Sequence, residues 1–348
     1  MVGGDGRRVV VLRALPGVGD LLCAVPALRA LRSAQPAARI TLAGLPSSGW
    51  FVRRYSRLVD DLLAVEGITG LPEVVPQPAA AARFLERTQA RRFDLAVQVH
   101  GSGVVTNPLM AAFGARHQVS AHLPGHWVPP GTSIEYPRDL PEIARMLAVV
   151  AAAGCQPAGG HIELPIADKE WGVGGRLLAC AGLAAHPYAC VHPGASRPDR
   201  RWPVERFVEI ADHLTRRGLA VVVTGSAAEV GLVRAVTGAM HSRAVDFAGR
   251  TGIGVLGAVY RNAHLVVTND TAASHVAAAV RTPSVVVIGS DEPGRWAPLD
   301  ADRHRAVTGD PPSAWPDVET VVGTIEAQLT RWPPAADRPN PWQSEVGS

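Results

Sequence analysis

The sequence predicts an α/β protein built from two parallel-sheet domains. Three observations carry this. The 348 residues are 47% hydrophobic, enough for about two cores of ordinary domain size. Short β-branched runs alternate with longer stretches of helical periodicity, the mark of βαβ crossovers. The alternation pauses once, where proline and glycine thicken between Gln156 and Gly160, and then restarts. The reading places one domain at 1–157, a second at 158–331, and a loose tail at 332–348 carrying Pro333, Pro334, Pro339 and Pro341.

In chain order, the run Arg8–Arg13 (RVVVLR) is almost wholly apolar, as a strand covered on both faces should be. Asp20–Ser33 carries apolar residues at helical spacing. Arg39–Ala43 and Leu95–Val99 are further strands, and Arg145–Ala153 is a helix that ends near Gly154. After the linker come the strand Tyr188–His192, the helix Pro203–Arg217 and the strand Leu219–Gly225. The helix Ala228–Thr237, a short strand near Ala244–Phe247 and the helix Ile253–Asn262 follow. The strand His264–Thr268, the helix Ala272–Val280, the strand Ser284–Gly289 and a closing helix Val318–Arg331 complete the pattern.

Composition excludes several functions. Lys+Arg at 34 against Asp+Glu at 31 is too even for an obligate nucleic-acid binder. No apolar run approaches the roughly 18 residues of a membrane span, and no secretory leader precedes the first strand. Cys23, Cys155, Cys180 and Cys190 are scattered without a CxxC pair, which suits a reducing compartment and buried apolar roles. The expectation is a soluble cytoplasmic protein. Lys169 is the sole lysine, so any cation that binds phosphate must be Arg or His.

Four segments stand where strands pass into helices. Pro16–Gly17–Val18–Gly19–Asp20 brings backbone N–H groups to a helix N-terminus, but it fails the dinucleotide fingerprint because Leu22 occupies the third glycine position. Asp20 is a carboxylate at the mouth of a ligand cleft or simply a first-turn helix charge. His192–Ser196 continues to Arg197, Arg200 and Arg201; a hydroxyl with several guanidiniums suits a diphosphate, or is a solvated basic loop. Thr268–His275 places Asp270 for sugar hydroxyls and the following N–H groups for a phosphate, unless Asp270 or Thr271 merely caps the helix. Glu229, in Gly225–Glu229, could hold a ribose diol or act as helix N-terminal charge. His117, His122 and His126 fall in a loop without a cysteine partner, and no metal site is expected there.

Together Gly19–Asp20 with Pro26–Ala27–Leu28, His192–Pro193–Gly194, Arg201–Trp202–Pro203, and Asn269–Asp270–Thr271 with His275 resemble the family 9 glycosyltransferases, the ADP-heptose:lipopolysaccharide heptosyltransferases and their relatives. The resemblance runs from about Val9 to Leu329. It implies the GT-B fold, two Rossmann-like domains facing a central cleft. It implies Asp20 as catalytic base, with Gly19, His100 and Gly101 on the acceptor side. On the donor side it implies Ser196, Arg197, Arg200, Glu229, Thr251, Asp270, Thr271, Ala272, Ala273 and His275. Arg200 stands where relatives often have Lys, and Ala272 where they usually have Gly.

The implied reaction moves a sugar, a heptose from ADP-heptose first, to a hydroxyl of a glycan or small-molecule acceptor with inversion. Neither cofactor nor metal is expected beyond the nucleotide sugar. The protein is expected to be a monomer with no nucleic-acid partner and at most peripheral membrane contact. Acceptor choice is expected in the loop Ala121–Pro137. An epimerase-like enzyme of the same fold, or a nucleotide-sugar-binding module without catalysis, would fit the same motifs.

Overall fold

The structure, a computed structural model, describes residues 6–289 and 292–333. The chain divides into two compact units, Met1–Ile162 and Glu163–Ser348. The N-terminal unit holds the strands β1 (Arg8–Leu12), β2 (Arg39–Gly44), β3 (Asp61–Ala64), β4 (Leu95–Gln98), β5 (His117–His122) and β6 (Thr132–Glu135). They form one parallel sheet in the order β3-β2-β1-β4-β5-β6. The C-terminal unit holds β7 (Tyr188–His192), β8 (Ala220–Val223), β9 (Val245–Asp246), β10 (Leu265–Asn269), β11 (Ser284–Ile288) and β12 (His304–Thr308). Its sheet runs β12-β11-β10-β7-β8-β9, all parallel. Counted from the first strand of each unit, the order is the same.

That order follows from where the apolar runs lie. β1, β7, β10 and β11 are buried along nearly their whole length and occupy interior positions, covered on both faces. In the N-terminal unit Val10, Leu12, Phe84, Phe93, Ala96 and Phe113 share one core cluster. In the C-terminal unit Val191, Trp202, Phe207, Val221, Val267 and Ile325 share another.

Several elements differ from the sequence expectation. Asp20–Ser33 is two helices, Val18–Leu22 and Val25–Ala34, because Pro26 has no N–H to offer the carbonyl of Leu22 and instead opens the second helix. β3, β6 and β12 are edge strands whose burial is only partial, so they lack a continuous apolar run. His117 and His122 end β5, an interior strand, rather than lying in a loop. They bond across to Thr132 Oγ1 (3.0 Å) and Ser133 Oγ (2.8 Å) of β6, so the segment Ala121–Pro137 is strand at Ala121, His122 and Thr132–Glu135. The helix Asp168–Cys180 contains Gly172, Gly174 and Gly175; a Cβ on Gly174 would stand 3.0 Å from the Ala258 methyl, which shows how closely its partner helix packs. Of the four free cysteines, Cys180 is exposed, contrary to expectation, while the other three are buried. The tail expected at 332–348 lies, beyond Pro333, outside the described residues.

Three buried histidines of the C-terminal unit give it a pH-dependent stability. Burial holds His192, His275 and His304 each at a pKa of about 4. Unfolded imidazoles take up protons below about 6.5. Between roughly 6.5 and 4 the unfolded state therefore binds more protons, and stability falls as pH falls through that window. The urea midpoint is expected to be clearly lower at pH 5 than at pH 7. An equal midpoint at both values would show these rings are not held neutral.

Candidate functional site

In parallel α/β sheets, ligands settle where strand order reverses, because the loops leaving the two neighbouring strands diverge and open a crevice. In the N-terminal unit that point lies between β1 and β4. In the C-terminal unit it lies between β7 and β10. The residues implied as catalytic, acceptor-side or donor-side lie in or beside the loops at the C-terminal ends of these strands and of β8 and β9.

After β1 the chain turns through Gly17 into the helix Val18–Leu22, of which Asp20 is the third residue. The half-buried Asp20 carboxylate turns back and accepts the Gly17 N–H at 3.1 Å. A Cβ on Gly17 would come within 2.3 Å of that carboxylate, so a larger residue there would have to displace it. Burial raises the Asp20 pKa above the ordinary carboxylate value. Arg13 and the Gly17 bond oppose the rise; Glu142 and Glu73 add to it. Gly19 is buried, its carbonyl taken by Cys23 N–H at 2.9 Å.

Across the switch point, His100 follows β4. Its Nδ1 accepts the Ala14 N–H at 3.0 Å. Burial first, then the charge of Arg13, hold its pKa at about 4. The ring is neutral at working pH, and with Nδ1 accepting, the proton sits on Nε2. Gly101 has φ +66°, and nothing stands within 4 Å of where its Cβ would be.

In the C-terminal unit one buried side chain ties the two switch-point loops together. Asn269 Oδ1 accepts the Trp202 N–H at 3.0 Å, while Nδ2 donates to the carbonyls of Pro193 (2.8 Å) and Gly194 (3.3 Å). Next to it, Asp270 lines a recess of about 500 Å³ with Arg197, Arg200, Gly289, Trp296 and Trp315. Burial raises the Asp270 pKa, against the attraction of Arg200. The three arginines of the preceding loop part ways. Arg201 donates twice to the Ala195 carbonyl, and Arg197 is bridged to Asp199 in an exposed pair. Arg200 is the cation whose field reaches Asp270.

Thr271 is the N-cap residue of the helix Ala272–Ala279, but its side chain makes no capping bond. The hydroxyl of Ser274 instead bonds back to the Thr271 carbonyl at 2.7 Å. Simple capping by Thr271 is thus not what the residue does. Ala273 is buried and Ala272 half-buried at the first turn. His275 lies in the interior and neutral, so it brings no charge to a phosphate.

Glu229 takes up its reading as a helix N-terminal charge. It accepts the N–H and the hydroxyl of Ser226, each at 2.8 Å, as a capping box does. Its carboxylate also lies against the loop after β7, since a Cβ on Gly194 would come within 2.2 Å of it. Thr251 is half-buried in the turn before the helix Ile253–Asn262; Gly249 N–H donates to Gly225 O at 2.9 Å, which lays that turn beside the one carrying Glu229. Ser196 is exposed on its loop. Gly194→Ala is expected to push the Glu229 carboxylate off Ser226 and cost about 1 kcal/mol of the capping contribution, read as a lowered thermal midpoint. An unchanged midpoint would show the carboxylate swings aside freely.

Sequence reasoning did not single out Arg13, Glu142, Trp296 or Trp315. Arg13 was read only as the end of a strand, and nothing local links it to Glu142, 129 positions away.

Two parallel sheets of this order, each with its polar loops at the switch point, define the GT-B class of fold. The sequence profile of glycosyltransferase family 9 (heptosyltransferase) matches residues 113–319, more than half of the chain. The chain belongs to that family. It is similar to lipopolysaccharide heptosyltransferase 3 of Escherichia coli K12, 26% identical over 223 residues, which are 62% of this chain and 64% of that protein. It is also similar to lipooligosaccharide heptosyltransferase 2 of Haemophilus influenzae, 33% identical over 43% of this chain and 40% of that one. The aligned stretches thus span less than two thirds of either relative. Among solved structures, a family 9 glycosyltransferase from Veillonella parvula superposes with a TM-score of 0.76 at 20% identity, covering 93% of this chain and 98% of that one. The ADP-heptose lps heptosyltransferase II of E. coli does so at 0.69 and 20%, covering 93% and 99%. At that identity the likeness is one of fold.

Proposed function

We propose that this family 9 chain is an inverting glycosyltransferase that moves a heptose from ADP-heptose to a hydroxyl of an anionic glycan. The observation that carries the reading is the complementary chemistry of the two switch points: a carboxylate of raised proton affinity at one, an arginine-lined recess with Asp270 at the other. The N-terminal unit holds 16 arginines against 11 aspartates and glutamates, which favours an anionic acceptor.

In this reading the Asp20 carboxylate takes the proton of the acceptor hydroxyl as that oxygen bonds to the anomeric carbon. The bond from that carbon to the diphosphate oxygen breaks, the diphosphate leaves with the electron pair, and the configuration inverts. An ordinary Asp, with pKa near 3.9, is a weak base, so proton transfer accompanies bond formation; burial of Asp20 moves it toward a better one. Arg200, with Arg197 and Ser196, receives the leaving diphosphate, together with the first-turn amides of Thr271 to Ala273. Asp270 holds the donor sugar; Glu229 and Thr251 hold the nucleoside. Those cations make a metal ion unnecessary, and turnover is expected to be unchanged by a chelator. Loss of turnover with EDTA, restored by a divalent ion, would overturn that part.

The same reading has the protein acting in the cytoplasm as a monomer, with at most peripheral membrane contact. Among the described residues no helix is long and apolar enough to cross a membrane. Light scattering and vesicle flotation test both points.

A thermal-shift panel of ADP-, GDP-, UDP- and dTDP-sugars tests the donor. ADP-heptose at about 100 times its Kd should stabilise by roughly 2.7 kcal/mol. No shift with ADP-heptose, but a shift with another donor, removes the heptosyl assignment. Conversion of the nucleotide sugar without any acceptor would point to epimerisation instead.

A further inference from the structure

Arg13 directly follows β1, and its side chain is fully buried. Its guanidinium donates from Nε to the backbone carbonyl of Asp20 (3.2 Å), and from Nη1 to the Val99 carbonyl (2.8 Å) and Glu142 Oε1 (2.7 Å). Nη2 is buried with no hydrogen-bond partner among the described residues. A guanidinium cannot shed its charge, so an idle buried donor is drawn to whatever carboxylate it can reach. Two carboxylates belong to this cluster. One is Glu142, already in contact. The other is Asp20, whose carbonyl Arg13 touches but whose carboxylate is turned away, toward Gly17.

We propose that Glu142 is a positioning residue of the transfer reaction: by clamping Arg13 it keeps the guanidinium off the Asp20 carboxylate, which stays open to the acceptor hydroxyl. The inference rests on the reading of Asp20 as the base. Glu142 suits the task because it is itself anchored. It opens the helix Glu142–Ala152, and its second oxygen lies 3.7 Å from Arg145, which donates to the Tyr136 hydroxyl (2.9 Å) and to the Arg138 carbonyl. The charged groups facing Asp20 are Arg13 after β1, Glu142 from that helix and Glu73 from the segment after β3. His100, after β4, shares the cluster but is neutral. Glu142 is the carboxylate paired with Arg13.

The test is the pH dependence of kcat for Glu142→Gln, with the bound donor as control for folding. The released Arg13 should pair with Asp20. The acidic limb of the profile should move down by about one pH unit, and kcat should fall by about tenfold or more, with donor KM unchanged. Removing the captor as well, in Arg13→Met/Glu142→Gln, should return the limb to the parent position or above it. Glu142→Asp keeps the charge and should leave the limb near the parent position, which provides a reading if the Gln variant does not fold. A merely structural ion pair would lower the thermal midpoint and leave the limb in place, and that outcome overturns the proposal. So does a double variant whose limb stays where Glu142→Gln put it. If Asp20→Asn itself keeps full turnover, the reading beneath the proposal has failed, and the Glu142 result is not needed to show it.

Discussion

Asp20→Asn is expected to lose about 10²- to 10⁴-fold in turnover while binding the nucleotide sugar as the parent does. The amide is nearly the same shape, and its oxygen can still accept the Gly17 N–H that now bonds the carboxylate at 3.1 Å. The turn into the helix Val18–Leu22 should therefore survive. What is lost is the ability to take a proton. The buried cluster also changes: with the Asp20 charge gone, Arg13 loses an attraction, but its Glu142 contact remains. Steady-state kinetics with the donor held saturating, beside a donor-binding isotherm, checks this. Unchanged turnover removes Asp20 from the role, whereas equal loss of donor binding would mean the substitution disturbs more than the base.

Trp202→Ala should produce the largest loss of stability. The indole is 1% exposed, packs edge-on against Phe207 at 5.3 Å between ring centres, and belongs to the main core of the C-terminal unit. Truncating a buried tryptophan costs about 3–5 kcal/mol, from lost transfer energy and the cavity left behind. The hydrogen bond matters less. Trp202 Nε1 donates to the Pro316 carbonyl at 3.0 Å, but Arg206 Nη1 also reaches that oxygen, at 2.9 Å, so the acceptor is not orphaned. The cavity term decides the outcome. For a unit of this size the thermal midpoint should fall by roughly 10 °C. Trp202→Phe, which keeps most of the volume, should lose well under half as much. A loss below about 1 kcal/mol for the alanine variant, by denaturant titration, would show that the loop backing collapses into the space. The N–H that Asn269 uses to join the two switch-point loops belongs to the Trp202 backbone and is kept by the substitution.

Most interior strands were legible in the sequence because burial on both faces leaves an uninterrupted apolar run, as at Arg8–Leu12 and Tyr188–His192, whereas the interior but polar His117–His122 was read as a loop. Of the edge strands only the short Val245–Asp246 was read, because a half-exposed strand such as Thr132–Glu135 has the polarity of a loop. Helices with ordinary periodicity, such as Ile253–Asn262 and Val318–Arg331, were read to the residue. The glycine-bearing helix Asp168–Cys180 was missed, since its glycines serve packing against a neighbour that the sequence does not reveal. Motif order was enough to suggest the family to which the profile match assigns the chain.

By itself, then, the sequence determined the class of fold, the family and the loops that carry the polar chemistry, because each depends on local pattern: periodicity, turn residues, and short motifs in order. The electrostatics were decided by the tertiary structure alone. Whether a carboxylate is a helix charge or a tuned base depends on burial and on charges far along the chain, as Glu142 and Arg13 are to Asp20. Likewise three arginines that look equivalent in Arg197–Arg201 have three different fates, set by which carbonyl or carboxylate the fold brings within reach. Coulomb energy depends on distance and dielectric in three dimensions, and neither is written in the spacing of residues along a chain.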